Sequence, residues 1–336
     1  MGSKNYIIVW LNITIFFLVL MILVGGITRL TNSGLSMVDW KPITGIVPPL
    51  SHDDWIDSFE EYKEFPEYKI KNYDMDLSDY KFIYFWEYIH RMLGRFFGFL
   101  FIIPFTFFLA KGYLSKKLIY KLLFLFVLGG SQGFVGWYMV KSGLVNEPNV
   151  SHYRLSLHLF LAFLILSYTY KLKLSIIYNK LSKINNYDFI NRFSSLILIL
   201  LFIQVIYGAF NAGLKTVHEI STFPFYNGMV FPFSKMTLNP WWLNLLENNF
   251  SVQLIHRYLG FTIVLLIGFL VSKINFHAIR LKIETQYIIS LILYQCILGV
   301  LTLVSKAVLV FALMHQLLAI ITILLMIRIS HKLKYE

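Results

Sequence analysis

Four histidines carry the chemistry that this sequence is equipped to do. His90, His158, His256 and His315 each fall inside a long apolar stretch, where an ionisable side chain marks a functional site by default. Imidazole offers a ring nitrogen with a lone pair, the commonest protein ligand for a metal. Glu87 precedes His90 by three residues, so on a helix the two share one face. A carboxylate there can stabilise positive charge or move a proton, or it can pair with Arg91 at the water interface. Arg91 and Arg257 each follow a histidine directly. They can meet anionic groups of a ligand by charge-assisted hydrogen bonds or anchor the chain at a membrane surface.

The elements that must position these residues are membrane spans. Of 336 residues, 57% are hydrophobic and only 14% charged, whereas a soluble domain is about one quarter charged. Apolar windows recur at about 7–26, 83–109, 119–140, 154–170, 194–213, 252–272, 286–304 and 307–327. Most approach the ~20 residues that cross ~30 Å of hydrocarbon. The net charge of +12 does not indicate nucleic acid, because the basic residues lie in short connections between windows. Lys111, Lys116, Lys117 and Lys121 lie between windows two and three, and Lys171, Lys173, Lys180, Lys183 and Arg192 between four and five. Lys273, Arg280 and Lys282 follow window six, and Arg328, Lys332 and Lys334 follow window eight. The positive-inside rule puts all of them in the cytoplasm, with both termini. No cleavable leader or transit segment is expected before the first span, which favours a bacterial inner membrane over an organelle. The lone Cys296 excludes an internal disulfide or a cysteine cluster.

The chain repeats itself. Ile89-His90-Arg91 with Leu93-Gly94 returns as Ile255-His256-Arg257 with Leu259-Gly260, and His158 with Ala162 matches His315 with Ala319. Gln132 and Gly136 correspond to Gln204 and Gly208 and to Gln295 and Gly299, while the first window offers Met21 and Gly25. The expected fold is therefore all-α and integral to the membrane. Eight transmembrane helices form two pseudo-symmetric four-helix bundles, 1–172 and 193–330, repeated in parallel about an axis near the membrane normal. Gly94, Gly98, Gly129 and Gly133 read as small faces for close helix packing, and the three glutamines as hydrogen bonds between helices. The acidic stretch 27–82 and the aromatic stretch 214–251 are the large outer loops, the second lying along the membrane surface as a cap.

With ~1.5 Å of rise per residue, all four histidines fall in the outer third of the bilayer, one pair per bundle. Facing imidazoles in a helical bundle are the usual way to hold a haem iron. Zinc or copper would want further ligands beside them, and no second histidine or cysteine lies at helical spacing beside any of the four. His52, His152, His218, His277 and His331 fall in loops or at span ends and are expected to be solvated.

The run Thr28-Arg29-Leu30-Thr31, Ser33-Gly34-Leu35-Ser36-Met37-Val38-Asp39-Trp40-Lys41-Pro42, Thr44-Gly45 and Pro48-Pro49 resembles the first outer loop of haem A synthases. Phe85-Trp86-Glu87 with His90-Arg91 and Leu93-Gly94-Arg95 is similar to that family's second span, and Tyr153-Arg154-Leu155 with His158 to its fourth. Thr222-Phe223-Pro224, Glu247-Asn248 and Gln253-Leu254-Ile255-His256-Arg257 resemble its second outer loop and sixth span. The resemblance implies an oxidoreductase that takes the C8 methyl of haem O to a formyl group by successive hydroxylations, giving haem A for cytochrome oxidase. It implies a resident haem b on His256 and His315, a substrate haem on His90 and His158, and catalysis by Glu87. Arg91 and Arg257 then become candidates for propionate contacts. Haem O synthase, the protohaem farnesyltransferase, is the implied source of substrate, and a homo-oligomer fits as well. Some relatives carry cysteine pairs in the outer loops; this chain has none, so electrons from an unnamed donor do not pass through loop thiols.

Two other functions would use the same histidines. A di-haem b-type electron-transfer cytochrome, such as a quinol or ferric reductase, should carry an equivalent of Glu87 in the sixth span. Position 253, three before His256, is Gln253, and this asymmetry favours one reactive and one electron-supplying haem. A haem carrier would have little use for a second fixed haem.

Overall fold

The computed structural model describes residues 2–38, 45–144, 148–178, 188–277 and 281–335. Among them it is all-helical, with a single isolated bridge between Tyr226 and Met229. Eight helices are long and apolar enough to cross a membrane: α1 (Ser3–Leu30), α4 (Leu77–Ala110), α5 (Lys116–Lys141), α6 (His152–Ile177), α7 (Asp188–Leu214), α10 (Asn249–Phe276), α11 (Lys282–Val304) and α12 (Leu309–Tyr335). The chain is thus a multi-pass membrane protein. Phe16, Ile103, Phe124, Leu265 and Leu293 stand exposed on these helices, an apolar surface that suits lipid and not water.

The helices outrun their hydropathy windows because polar caps, not apolar content, set their ends. Asp76 caps α4 by accepting from the Asp79 amide, so this helix begins six residues before its window at 83. Asn248 accepts from the amides of Phe250 and Ser251 and starts α10 close to His256. The stretch 27–82, read as loop, contains α2 (His52–Lys63) and α3 (Pro66–Lys71). Their charged sequences give no hydropathy signal. In the second outer stretch α8 (Thr216–Glu219) and α9 (Asn244–Glu247) are single turns.

The chain divides into two compact units, 13–162 on one hand and 1–12 with 163–336 on the other. In the first, α4 packs on α5, and α1 meets α4 through Phe17 and Phe96, whose ring centroids are 5.2 Å apart. Arg154 of α6 donates to the Tyr138 carbonyl of α5 at 2.7 Å and covers that tyrosine's ring. Above them α2 and α3 bury Phe59 and Tyr62 against Tyr80 and Tyr84 of α4. Each such ring removed from water stabilises the cap by roughly 1.5–3 kcal/mol.

In the second unit α7 packs against α10 and α12, and α11 against both of these, closing a ring of four helices. Between lipid-facing helices there is no hydrophobic driving force, so close packing and interhelical hydrogen bonds hold them. One such tie joins Glu284 of α11 to Arg328 and Lys332 of α12, at 3.1 and 3.0 Å. Both cations therefore have a packing role beyond orientation. His331, expected to be solvated, is instead buried beside Tyr178, because α12 continues as helix past the end of its window.

Candidate functional site: four histidine seats and one buried carboxylate

Each of the four histidines is seated against a glycine of a neighbouring helix. A Cβ built on Gly25 of α1 would lie 3.1 Å from Cε1 of His90 on α4. The same construction at Gly136 of α5 gives 3.0 Å to His158 of α6. Gly208 of α7 gives 3.3 Å to His256 of α10, and Gly299 of α11 gives 3.1 Å to His315 of α12. Real Cβ atoms rarely approach so closely, so only hydrogen at these positions leaves room for the imidazole. The glycines read from sequence as packing faces do less. A Cβ on Gly98, Gly129 or Gly133 would meet nothing within 4 Å, and one on Gly94 only the Met21 terminal methyl at 3.7 Å.

Three seats have a second part, one turn earlier on the glycine helix. Nε2 of Gln132, Gln204 and Gln295 donates to the carbonyl of His158, His256 and His315 at 3.1, 2.9 and 3.0 Å. These are the expected bonds between helices, and they fall on the histidines themselves. The same amide nitrogen lies 3.3 Å from both ring nitrogens of His158 and 3.4 Å from Nε2 of His256 and of His315. Gln295 also presents its backbone carbonyl 3.1 Å from His315 Nδ1.

Within each unit two histidines lie close enough for their charges to interact, His90 with His158 and His256 with His315. Among the described residues no three His, Cys, Asp or Glu side chains converge. That donor set suits a group needing two axial imidazoles, not a tetrahedral metal. Nδ1 of His90 and of His256, and Oε1 of Gln132, Gln204 and Gln295, are buried without a hydrogen-bond partner. Such atoms are costly in a closed interior and fit a site shaped around a ligand. The residues therefore fit a haem in each unit.

Glu87 is buried, 3% exposed, one turn from His90 on α4. Its Oε1 accepts from Arg91 Nη2 at 2.6 Å and Nε at 3.1 Å, so the pairing weighed from the sequence is present. Oε2 accepts from the Ser36 hydroxyl at 2.7 Å and the Met37 amide at 2.9 Å. Arg91 Nη2 also donates to the Met37 carbonyl at 2.8 Å. Four donors face the carboxylate, filling both of its oxygens. In the sequence Ser36 and Met37 stand out only as part of a loop motif, and the polar run directly after the first span is the available signal. Asp39, Trp40, Lys41, Pro42 and Thr44 of that motif, and Lys180, Lys183 and Arg280, lie outside the described residues.

The matching place in the other unit holds Gln253, also 3% exposed. Its Nε2 donates to the Ile220 carbonyl at 3.0 Å, and its Oε1 accepts from Arg257 Nη2. Arg257 donates on to the carbonyls of Thr222 at 2.9 Å and Pro224 at 3.3 Å and lies over the Tyr226 ring. Both arginines thus bind the segment covering their histidine helix.

Residues 8–327 match the family model COX15-CtaA, described as cytochrome oxidase assembly protein. The chain is similar to a protein named heme A synthase from Wolbachia pipientis wMel, 41% identical over 310 residues that cover 92% of this chain and 87% of the relative. A second of that name, from Flavobacterium johnsoniae, is 41% identical over 98% of both chains. A third, from Nitrosospira multiformis, is 38% identical over 98% of this chain and 94% of its own length.

Proposed function

The chain belongs to the COX15-CtaA family of cytochrome oxidase assembly proteins, its function is the synthesis of haem A, and we propose the following division of labour among its residues. The bundle of 1–172 takes haem O as substrate, with His90 and His158 as axial ligands. The bundle of 193–330 keeps a resident haem b on His256 and His315. That haem, when bound, supplies one-electron transfer. The oxidised group is the C8 methyl of haem O, converted to a formyl group.

Glu87 is the catalytic residue in this reading. Its carboxylate is fixed beside His90 by Arg91, Ser36 and Met37, so negative charge is in place before positive charge develops nearby. Such preorganised charge costs no rearrangement at the moment of reaction. Ser36, with a hydroxyl that both donates and accepts, is the group through which a proton could leave the carboxylate. Arg91 and Arg257 stand one residue beyond a histidine and brace the outer segments; from that place each meets a haem propionate. The lysine and arginine pattern puts both termini in the cytoplasm of a bacterial inner membrane. Haem O synthase delivers the substrate, and the electron donor is a separate protein or quinol.

The observation that carries this reading is four glycine-seated histidines in two pairs, with, among the described residues, a buried carboxylate beside the first pair and Gln253 in its place at the second. A di-haem electron-transfer cytochrome would use the pairs alike and would have no need of the Glu87–Gln253 difference. Expression beside a haem O producer, followed by pigment extraction and chromatography, tests it. Haem A should appear with the wild-type chain and vanish with His90→Ala; haem O alone from the wild type would refute the proposal.

A further inference from the structure

One of the four histidine seats lacks a part. At His158, His256 and His315 the facing helix carries a glutamine four residues before the seating glycine, and its amide is bonded to the histidine's own carbonyl. Before Gly25 that position is Met21, whose terminal methyl lies toward Gly94. A thioether donates no hydrogen bond, so α1 gives His90 no counterpart of the side-chain amide that bonds the carbonyls of the other three histidines. Nδ1 of His256 is unpartnered like that of His90. What sets His90 apart is therefore the missing amide and not the orphaned nitrogen.

We propose that His90 is the exchangeable ligand of the N-terminal site, and that Met21 in place of glutamine makes it so. The inference rests on the reading of these histidines as haem ligands and extends it to how the substrate enters and the product leaves. A ligating histidine is held by partners that fix its ring, and loss of one such partner weakens metal binding about 10- to 100-fold. The His256–His315 pair has two glutamine latches, as a resident group requires. The His90–His158 pair has one, so His158 keeps its place while His90 releases and retakes the porphyrin iron. This separates the exchanging site from the permanent one on geometry in this chain. Met21 is accordingly a positioning residue, acting through His90.

Full-length protein loaded with ferric haem b in both sites, mixed with excess apomyoglobin, reports haem transfer at the Soret band. Two phases are expected, the fast one from the N-terminal site and absent in His90→Ala. Met21→Gln should slow the fast phase about 10-fold, leave the slow phase alone and shift the low-spin electron paramagnetic signal of the N-terminal haem. Gln132→Met should speed the fast phase, Gln295→Met the slow one, and Met21→Leu should match the wild type. A fast phase unchanged in both Met21→Gln and Gln132→Met would overturn the proposal while leaving haem ligation intact. Protein that binds no haem at all would overturn the ligand reading itself.

Discussion

Glu87 and Gln253 hold matching posts in the two units. Each lies three residues before a histidine and four before an arginine, is buried, and is bonded to that arginine and to the outer segment above it. The direction of the bonds differs. Glu87 only accepts, from Ser36, Met37 and Arg91, whereas Gln253 donates to Ile220 and accepts from Arg257. The brace between outer segment and histidine helix is therefore built in one unit without a carboxylate. A buried ion pair is costly to form, and a neutral replacement of similar shape is often as stable. The charge at Glu87 is therefore not needed for bracing, which an amide meets at Gln253.

The sharpest way to break this contrast is to make the posts alike. Glu87→Gln should keep the brace and the bound haem but lower haem A formation at least about 100-fold, the usual loss when a charge or proton-transfer group is removed from a reacting centre. The reciprocal Gln253→Glu should keep haem A formation within a few-fold of wild type. Both are read by chromatography of extracted haems and by Soret absorbance of purified protein. Full haem A yield from Glu87→Gln would reduce the carboxylate to a structural part.

The eight helices were legible in the sequence because twenty apolar residues have few other fates, and His90, His158, His256 and His315 because imidazoles are rare among them. The arrangement around them was not. Spacing aligns Gln132–Gly136 with Gln204–Gly208 and Gln295–Gly299, yet spacing along one helix does not say which side chain faces it on the next. Gly98, Gly129 and Gly133 matched a packing motif and have nothing close by. Ser36 is 51 residues from Glu87 in the chain, a contact no local pattern encodes. Helices α2 and α3 escaped because hydropathy is blind to short charged helices, here α2 packing on α4 and α3 on α2.

A second way to sharpen the comparison is to disturb the seats themselves. Gly299→Ala and Gly136→Ala each place a methyl about 3 Å from an imidazole carbon, and the ring must move by a few tenths of an ångström. Each should weaken haem binding about 10-fold at its own site. Gly299→Ala should lower haem at the His256–His315 pair and Gly136→Ala at the His90–His158 pair, both measured by the pyridine haemochrome assay after size exclusion. A methyl on Gly129, facing open space, should change neither; loss of haem there would undo the distinction between seats and glycines with nothing packed against them.

Ser36→Ala removes one of four donors from Glu87 while Arg91 and the Met37 amide remain. Losing one hydrogen bond to a charged group costs about 1.5–3 kcal/mol, or roughly 10- to 100-fold if all of it fell on the transition state. A fall near 10-fold in haem A formation is expected, with haem content unchanged. Should the rate stay level, the route from Glu87 through the Ser36 hydroxyl would have no part in the reaction.

The smallest effect belongs to the arginines, and here the two units should part company. Lysine keeps the charge but replaces a planar fork of five donors with a single point. In Arg257→Lys the carbonyls of Thr222 and Pro224 and the Gln253 oxygen lose part of their cover. The two carbonyls are neutral acceptors in exposed surroundings, where water can substitute. The expected result is about 1 kcal/mol of stability, seen as earlier thermal loss of the tightly held haem, with haem A formation nearly intact. In Arg91→Lys the same change strips a bonded partner from a buried carboxylate. Its orientation is then set by Ser36 and Met37 alone, and activity should fall several-fold more than in Arg257→Lys at similar haem content. Equal losses in the two variants would mean that both arginines merely hold down the outer segments, and that the charge at Glu87 adds nothing to the geometry.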